Sequence, residues 1–160
     1  MVSWRVHLQQ LLEKHFGHTS VSFCEIFNQD STLSSYPDDN THFSLDIEQS
    51  LLTLREYLGF SIPNPGKVAS YLRQNIGLYD VVLCACMLTE ETFGNTAQIR
   101  LGIYSDPEID DEYLTICIRQ SHYDADIIDK IDSICSQYEP DLNCCKGWFV
   151  VTTDFRHPTA

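Results

Sequence analysis

The sequence has few basic residues. Only 10 of its 160 residues are lysine or arginine, against 23 aspartates and glutamates, and the net charge is −13. Nucleic-acid-binding proteins need clustered cations to neutralise phosphates, so this balance argues against a DNA or RNA partner. It favours a basic protein as partner, or an acidic surface that serves only solubility.

Long apolar segments are also absent. A transmembrane helix needs roughly 20 apolar residues, whereas the most apolar stretch, 81–88, is bounded by Asp80 and Glu90. A secretory signal needs an uninterrupted apolar core, and Arg5 and His7 interrupt the N-terminal region. We therefore predict a cytoplasmic protein that does not associate with membranes.

The sequence contains none of the motifs typical of phosphate-binding loops, serine hydrolases or zinc knuckles. Its acidic segment 106–112 lacks the glycine and the ligand spacing of a calcium loop and is typical of a solvated turn. Asp124, Asp126 and Asp129 follow His122, but acids at this position suit the start of a helix. We expect no cofactor and no metal, and we favour a protein that is not an enzyme.

Seven cysteines are present, an odd number that does not suit a complete disulfide framework. Most are expected to be reduced and buried as small apolar side chains. Cys144 and Cys145 are adjacent and precede a predicted strand. They support a weaker hypothesis, in which the protein senses redox state through these two thiols.

Hydrophobic periodicity predicts the elements of the first 60 residues. Residues 3–16 favour an amphipathic helix, residues 20–27 a half-buried strand and residues 29–44 a polar surface loop. Asp46 is expected to cap a following helix that ends at Gly59. The inner face of this helix is predicted to contain Ile47, Leu51, Leu54 and Leu58.

The remaining residues predict a mixture of helices and strands. Helices are expected at 65–75, 78–93 and 124–138, and strands at 97–104, 113–119 and 147–155. The inner face of the last helix is predicted to contain Ile127, Ile128, Ile131, Ile134, Cys135 and Tyr138. The resulting fold class is α+β, with an antiparallel sheet formed by the hairpin 97–120, the C-terminal strand and the N-terminal strand 20–27, and with helices packed on one face. We expect one domain over 1–160.

Several segments carry a resemblance to a known family. They are 93–115 (FGNTAQIRLGIYSDPEIDDEYLT), 118–120 (IRQ), 123–124 (YD) and 147–155 (GWFVVTTDF). Together they resemble a family of small acidic bacterial proteins without a known activity, over residues 61–158, which leaves 1–60 as a separate N-terminal part. The resemblance implies an α+β fold, a helix before Phe93 and a cytoplasmic location, but no activity, ligand or catalytic residue.

Strand alternation places two arginines on the face of the hairpin opposite its aliphatic side chains. In a chain so poor in cations, this placement of Arg100 and Arg119 is the most distinctive feature of the sequence. The same face is predicted to contain Gln98, Tyr104, Tyr113 and Thr115, joined by Trp148 and Asp154 from the last strand.

Three interpretations of this face remain open. The arginines can simply pair with nearby acids on a solvated surface. The face can instead bind a partner protein or a second copy as a homodimer, because Tyr, Trp and Arg dominate interface energetics. It can also belong to a small enzyme or ligand-binding domain in which Arg100 and Arg119 hold an anion. We favour a non-enzymatic interaction or regulatory protein.

Overall fold

The computed structural model describes the backbone of residues 39–108 and 111–159, with side chains from residue 47 onward in these ranges. Its contacts divide the chain into two compact units, 1–41 and 42–160, and nearly everything described belongs to the second. The elements in chain order are α1 (Asp39–Glu56), α2 (Pro65–Gln74), α3 (Leu78–Phe93), β1 (Ala97–Asp106), β2 (Asp111–Gln120), α4 (Ile127–Leu142) and β3 (Phe149–Thr152). The predicted α+β fold class is confirmed. The predicted helix 3–16 and strand 20–27 lie outside the described residues.

Helix α1 begins earlier than the sequence predicts. The loop prediction for 39–44 is wrong, because the helix starts at Asp39 rather than after Asp46. Polar residues that favour loops also suit a first helical turn, where an aspartate interacts with the positive end of the helix dipole. Of the four predicted inner residues, Ile47, Leu51 and Leu54 are buried, whereas Leu58 is half-buried and lies beyond the helix, which ends at Glu56 rather than Gly59.

Helix α2 begins as predicted. The side chain of Asn64 accepts a hydrogen bond from the backbone N–H of Lys67 at 3.1 Å. Pro65 occupies the first helical position, where its missing N–H has no helical partner to lose. The preceding chain reverses at Gly59, which has a φ of 69° that favours glycine.

Helix α3 lies at the centre of the core. Its burial is not confined to one side, because Val81, Val82, Cys84, Ala85, Cys86, Met87 and Leu88 are all buried. A helix that is buried around most of its circumference shows little amphipathic pattern. The predicted bounds of this helix, 78–93, are confirmed.

The three strands form one mixed sheet in the order β1-β2-β3. The predicted antiparallel pairing of β1 with β2 is confirmed, with Ile103 opposite Leu114. The prediction that the C-terminal strand is also antiparallel is wrong, because β3 runs parallel to β2, with Leu114 paired to Phe149. A parallel pair needs a long crossover, and α4 lies in that connection. Beyond β1, Ser61 makes an isolated parallel bridge to Arg100.

Helix α4 covers 127–142 rather than 124–138 and continues through Pro140. Its buried side includes Ile127, Ile131, Ile134 and Tyr138, but Ile128 is 47% exposed, so its predicted inward position is wrong. Ile128 directly follows Ile127, and consecutive helical residues point about 100° apart, so on a helix that packs along one side only one of the two faces the core.

The aliphatic face of the sheet joins the helices in one core. Ile99, Leu101, Leu114, Ile116 and Ile118 are at most 3% exposed. Helices α2 and α3 contact β1, and α3 and α4 contact β3. That all helices pack on one face stays a prediction. Among the described helices, none is both long enough and apolar enough to cross a membrane.

Candidate functional site

The opposite side of the sheet, here the outer face, contains the arginines singled out from the sequence. The strand register sets Gln98 opposite Arg119, and Tyr104 opposite Tyr113. Directly opposed residues point to the same side of a sheet. The predicted common face of Arg100 and Arg119 therefore follows from the observed register, although the two guanidinium groups have different surroundings.

An aromatic row crosses the outer face near the hairpin turn. The rings of Tyr104 and Tyr113 are 5.0 Å apart between centroids. Trp148 immediately precedes Phe149, which pairs with Leu114, so it extends the row onto the third strand. Tyr104 is 46% and Trp148 65% exposed. Tyr104, Tyr113 and Trp148 thus form one aromatic row, in which Tyr113 is half-buried and the other two are exposed.

Hydrogen bonds hold both the carbonyl and the N–H group of the Trp148 backbone. The hydroxyl of Tyr71 donates to the carbonyl oxygen of Trp148 at 3.0 Å and accepts from its N–H at 2.8 Å. Gly147 has a φ of 88°, and a Cβ there would lie 2.7 Å from the Asn75 side chain and 2.9 Å from Leu78. The exposed indole is therefore presented from an ordered backbone.

A row of small residues lies next to the aromatic row. It contains Gly102, Thr115 and Val150, which are neighbours across the three strands. A Cβ added at Gly102 would meet no atom within 4 Å. The surface is therefore lower here than at the tyrosines, which leaves a shallow depression on the outer face.

Arg100 borders this depression and has no carboxylate partner among the described residues. It is exposed, as is typical of a surface cation. Six other lysines and arginines of the described ranges have carboxylate partners, namely Arg55, Lys67, Arg73, Arg119, Lys130 and Arg156, whereas Lys146 on the loop before β3 has none in those ranges. In a protein with a net charge of −13, an arginine on a sheet face without an ion-pair partner in the described part of the chain is notable.

Arg119 is already paired. Its Nε lies 3.1 Å from each carboxylate oxygen of Asp154, and its Nη2 lies 2.6 Å from Oδ2. Arg119 is 9% exposed. The hydrogen bond from Arg119 lowers the pKa of Asp154 and raises that of the guanidinium. Arg119 and Asp154 therefore form an internal ion pair.

Asp154 belongs to a C-terminal segment that is hydrogen-bonded to β1 and β2. Residues 153–159, here the strap, cross from β3 to β1. The Thr153 hydroxyl donates to the Ile118 carbonyl at 2.7 Å. The Gln98 side chain donates to the Thr159 carbonyl at 2.8 Å and accepts from the Thr159 N–H at 3.0 Å. The strap therefore replaces the second half of the predicted strand 147–155, which ends at Thr152.

The bend of the strap is made by a residue in an unusual conformation. Phe155 has a φ of 55°, which costs a non-glycine residue about 1–2 kcal/mol. Two side chains support it, since Thr153 Oγ1 accepts from the Phe155 N–H and Asp154 Oδ1 from the Arg156 N–H. The ring of Phe155 lies 5.2 Å from that of Tyr123.

The structure thus separates the six predicted binding residues. Arg100, Tyr104, Tyr113 and Trp148 belong to the open part of the outer face, whereas Arg119 and Asp154 hold the strap. Sequence reasoning missed Gly102 and Val150, although strand alternation places both on this face. A glycine inside a strand is the signal that was available, because it often marks a close approach.

The cysteines give little support to redox sensing. Burial, and after it the nearby side chains of Cys144 and Asp141, raises the pKa of Cys145. Its Sγ donates to the Gly77 carbonyl at 3.0 Å. Burial raises the pKa of Cys84 to about 11. Cys24 lies outside the described residues.

These environments predict the order in which the thiols react. Because the thiolate is the nucleophile, exposed Cys144 is expected to be alkylated by iodoacetamide at least roughly tenfold faster than Cys84 at about pH 8. Peptide mass spectrometry over time measures both rates in one sample. Equal rates in the folded protein would contradict the burial described here.

A concave region away from the outer face also lies within the described residues, which hold no metal cluster. A groove of about 300 Å³ lies between α1 and α2. Its two charged lining residues are already paired, Arg55 with Glu56 and Glu48 with Arg73. Within 39–108 and 111–159, no three His, Cys, Asp or Glu side chains come together as metal ligands.

Comparisons with known proteins found no match. No protein-family model, no curated protein and no solved structure matches the chain. The functional proposal therefore depends on the geometry of the outer face.

Proposed function

We propose that this chain is a non-enzymatic, cytoplasmic interaction protein whose outer face binds a protein partner. The observation that carries the proposal is the aromatic row beside Arg100, on the open part of the sheet. Aromatic residues and arginine are the types that dominate binding energy at protein interfaces. Here they occur together on a sheet whose other face is packed in the core.

The partner must provide a hydrogen-bond acceptor for the guanidinium group of Arg100. An arginine that is buried at an interface without a carboxylate or other acceptor would lose its hydration with no replacement. The partner is therefore expected to offer an acidic group to Arg100 and apolar surface to the tyrosines. The net charge of −13 would still speed the approach of a partner that is basic overall.

The ligand-binding alternative has less support. Holding an anion between Arg100 and Arg119 would require Arg119 to leave Asp154, which belongs to the strap that is hydrogen-bonded to β1. Only Arg100 is available, and one exposed arginine without further donors gives a weak anion site. The redox alternative is weaker still, because burial raises the pKa of Cys145.

A photo-crosslinking amino acid tests the interaction. Placed at Tyr104 in the full chain and expressed in the source cells, it is expected to give defined protein adducts, identified by mass spectrometry. Gln137, which is exposed on α4, is the control position and should give few adducts. Adding Arg100→Ala to the Tyr104 probe should reduce its adducts at least roughly fivefold, as the loss of an interface arginine does.

Two results would count against the proposal. One is an absence of adducts from position 104 in cells that contain abundant, folded protein. The other is an identical set of adducts from positions 104 and 137, because random contact produces both equally.

A further inference from the structure

We infer that the outer face binds a second copy of this chain, face to face, in a two-fold symmetric dimer. The inference rests on the proposed function and names one partner for it. It follows from an arrangement of residues on the outer face that is complementary to itself, both in size and in charge. Strand register fixes this arrangement, and its side chains lie on the solvent side of the sheet.

The outer face is built of successive rows along the hairpin. Starting at the turn, Asp106 lies opposite Asp111, and these two residues form an acidic pair. The aromatic row follows, then the small row, then Arg100 opposite Cys117. The order along the surface is therefore acid, large aromatic, small, cation.

A two-fold axis that crosses the strands at Ile103 brings unlike rows together. Ile103, Leu114 and Phe149 are register partners, so one line passes through all three strands at this level. The axis lies in the plane between the two sheets and is perpendicular to the strands. A rotation of 180° about it reverses the direction of each strand and places β1 over β1, β2 over β2 and β3 over β3. Each residue then faces the one equally far on the other side of Ile103, which sets Tyr104 over Gly102 and Arg100 over Asp106.

The sizes of the opposed side chains match. Tyr104 of one copy meets the depression at Gly102 of the other, where no atom lies within 4 Å of an added Cβ. By the same symmetry, Tyr113 meets Thr115 and Trp148 meets Val150. Sheets that pack face to face need such interdigitation to reach their usual separation of about 10 Å.

The charges match as well. Arg100 has no acidic neighbour among the described residues of its own copy, and no cation in those ranges pairs with Asp106 or Asp111. The two carboxylates lie directly opposite each other across the hairpin, and like charges so placed are destabilising. The rotation places each Arg100 over the acidic pair of the partner, so each copy supplies the charge that the other lacks.

The size of the face predicts a weak dimer. Three strands about 4.8 Å apart and about eight residues of about 3.4 Å each give roughly 400 Å² per copy. A stable interface buries about 800 Å² per partner, and smaller ones are transient. The two copies also repel at long range, since each carries a net charge of −13. Dissociation in the micromolar range or above is therefore expected.

A charge-exchange experiment tests the dimer. Sedimentation velocity of the full chain from about 5 to about 500 µM is expected to show a concentration-dependent monomer–dimer equilibrium. Arg100→Glu alone should weaken association at least roughly tenfold, and so should Asp106→Asn with Asp111→Arg, because each places like charges together. The asparagine introduced at position 106 retains the side-chain oxygen that accepts from the Glu108 N–H.

Mixing the two variants is the decisive step. In the mixed dimer, the glutamate introduced at position 100 of one copy faces the arginine introduced at position 111 of the other. The unchanged Arg100 faces the unchanged acidic pair. An equimolar mixture should therefore associate again, within about threefold of the original protein, because opposite charges are again opposed. This recovery also shows that both variants are folded.

Two controls separate charge at the interface from charge in general. Arg55→Glu, which changes the net charge as Arg100→Glu does, should leave association within about twofold, because distant surface charges are screened by salt. Gly102→Gln, which fills the depression with an uncharged side chain, should weaken association at least roughly tenfold while the thermal unfolding temperature stays unchanged or rises. Arg55→Glu therefore tests net charge alone, and Gly102→Gln tests shape alone.

The inference is overturned if the original chain is monomeric across the whole range, or if the mixture does not recover. In that case, crosslinks from position 104 to another protein would leave the proposed function standing. Absence of both self-association and such crosslinks would remove the proposed function too.

Discussion

Replacing Gly147 with alanine is expected to lower the free energy of unfolding by about 3 kcal/mol. The added Cβ would lie 2.7 Å from the Asn75 side chain and 2.9 Å from a methyl group of Leu78. Overpacking of this kind costs typically about 1–3 kcal/mol. The φ of 88° adds a further penalty, since positive φ costs an L-residue about 1–2 kcal/mol.

Urea denaturation followed by circular dichroism measures this change, with Gly66→Ala as matched control. Gly66 lies in the first turn of α2, and a Cβ there meets only Asn64 Oδ1 at 3.9 Å. Its replacement should stabilise the protein by up to about 1 kcal/mol. Equal effects of the two substitutions would show that Gly147 is not constrained as described.

The same substitution should affect binding. Relief of the clash requires Gly147 to move, and the adjacent Trp148 is held by both hydrogen bonds to Tyr71. Without urea, where most Gly147→Ala chains remain folded, crosslinking from position 104 is expected to fall. Trp148→Ala should reduce crosslinking similarly while costing far less stability, because the indole is 65% exposed.

Removing the carboxylate of Asp154 is the second change with a large expected effect. Asp154→Ala should lower the free energy of unfolding by about 2–3 kcal/mol, because it leaves the 9% exposed Arg119 without its partner. The double variant Arg119→Met with Asp154→Ala should recover part of this loss, since no buried charge remains unpaired. A double-mutant cycle from urea denaturation gives the coupling directly.

The pH dependence of stability provides an independent measure of this pair. Arg119 lowers the pKa of Asp154 in the folded protein. Such a group stabilises the fold above its unfolded pKa, about 3.9, and this contribution is lost as the pH falls through the lower folded value. The stability difference between the original chain and Asp154→Asn should therefore be full at about pH 6 and shrink below about pH 4. A difference that stays constant from neutral to strongly acidic pH would contradict the ion pair.

Local patterns predicted much of the fold because the deciding interactions are local. The alternation of Ile99 and Leu101 with Arg100 sets the face of each residue regardless of what the rest of the chain does. Asn64 and Pro65 act within one helical turn, so the start of α2 could be predicted. The order of helices and strands in the second half followed from signals of this kind.

The direction of β3 could not be predicted in this way. Val150 and Val151 favour a strand equally well in either orientation, and the choice depends on α4 crossing between β2 and β3. The ion pair between Arg119 and Asp154 could not be predicted for a related reason. Its partner Asp154 lies 35 residues further along the chain, and only the folded strap brings the two together.

The candidate site was predicted in its residue types and only partly in its geometry. Arg100, Tyr104 and Tyr113 could be placed together because one hairpin holds them. The depression at Gly102 depends on the absence of neighbouring atoms above the glycine, which a sequence pattern does not predict. The alternation of large and small rows, from which the self-complementarity follows, became evident only with the register of all three strands.

The parallel crossover has a consequence for the order in which the protein folds. The β1–β2 hairpin closes over a short turn. The pairing of Leu114 with Phe149, and the hydrogen bonds of Gln98 to Thr159, 61 residues further on, form only when the later segment reaches the sheet. Closing longer loops is slower, so the hairpin should form early and the third strand late. During synthesis, Tyr104 and Tyr113 would emerge well before Trp148 completes their row. A nascent chain would then carry the arginine and both tyrosines without the tryptophan, so binding through the full surface is delayed until the segment 148–159 has been added.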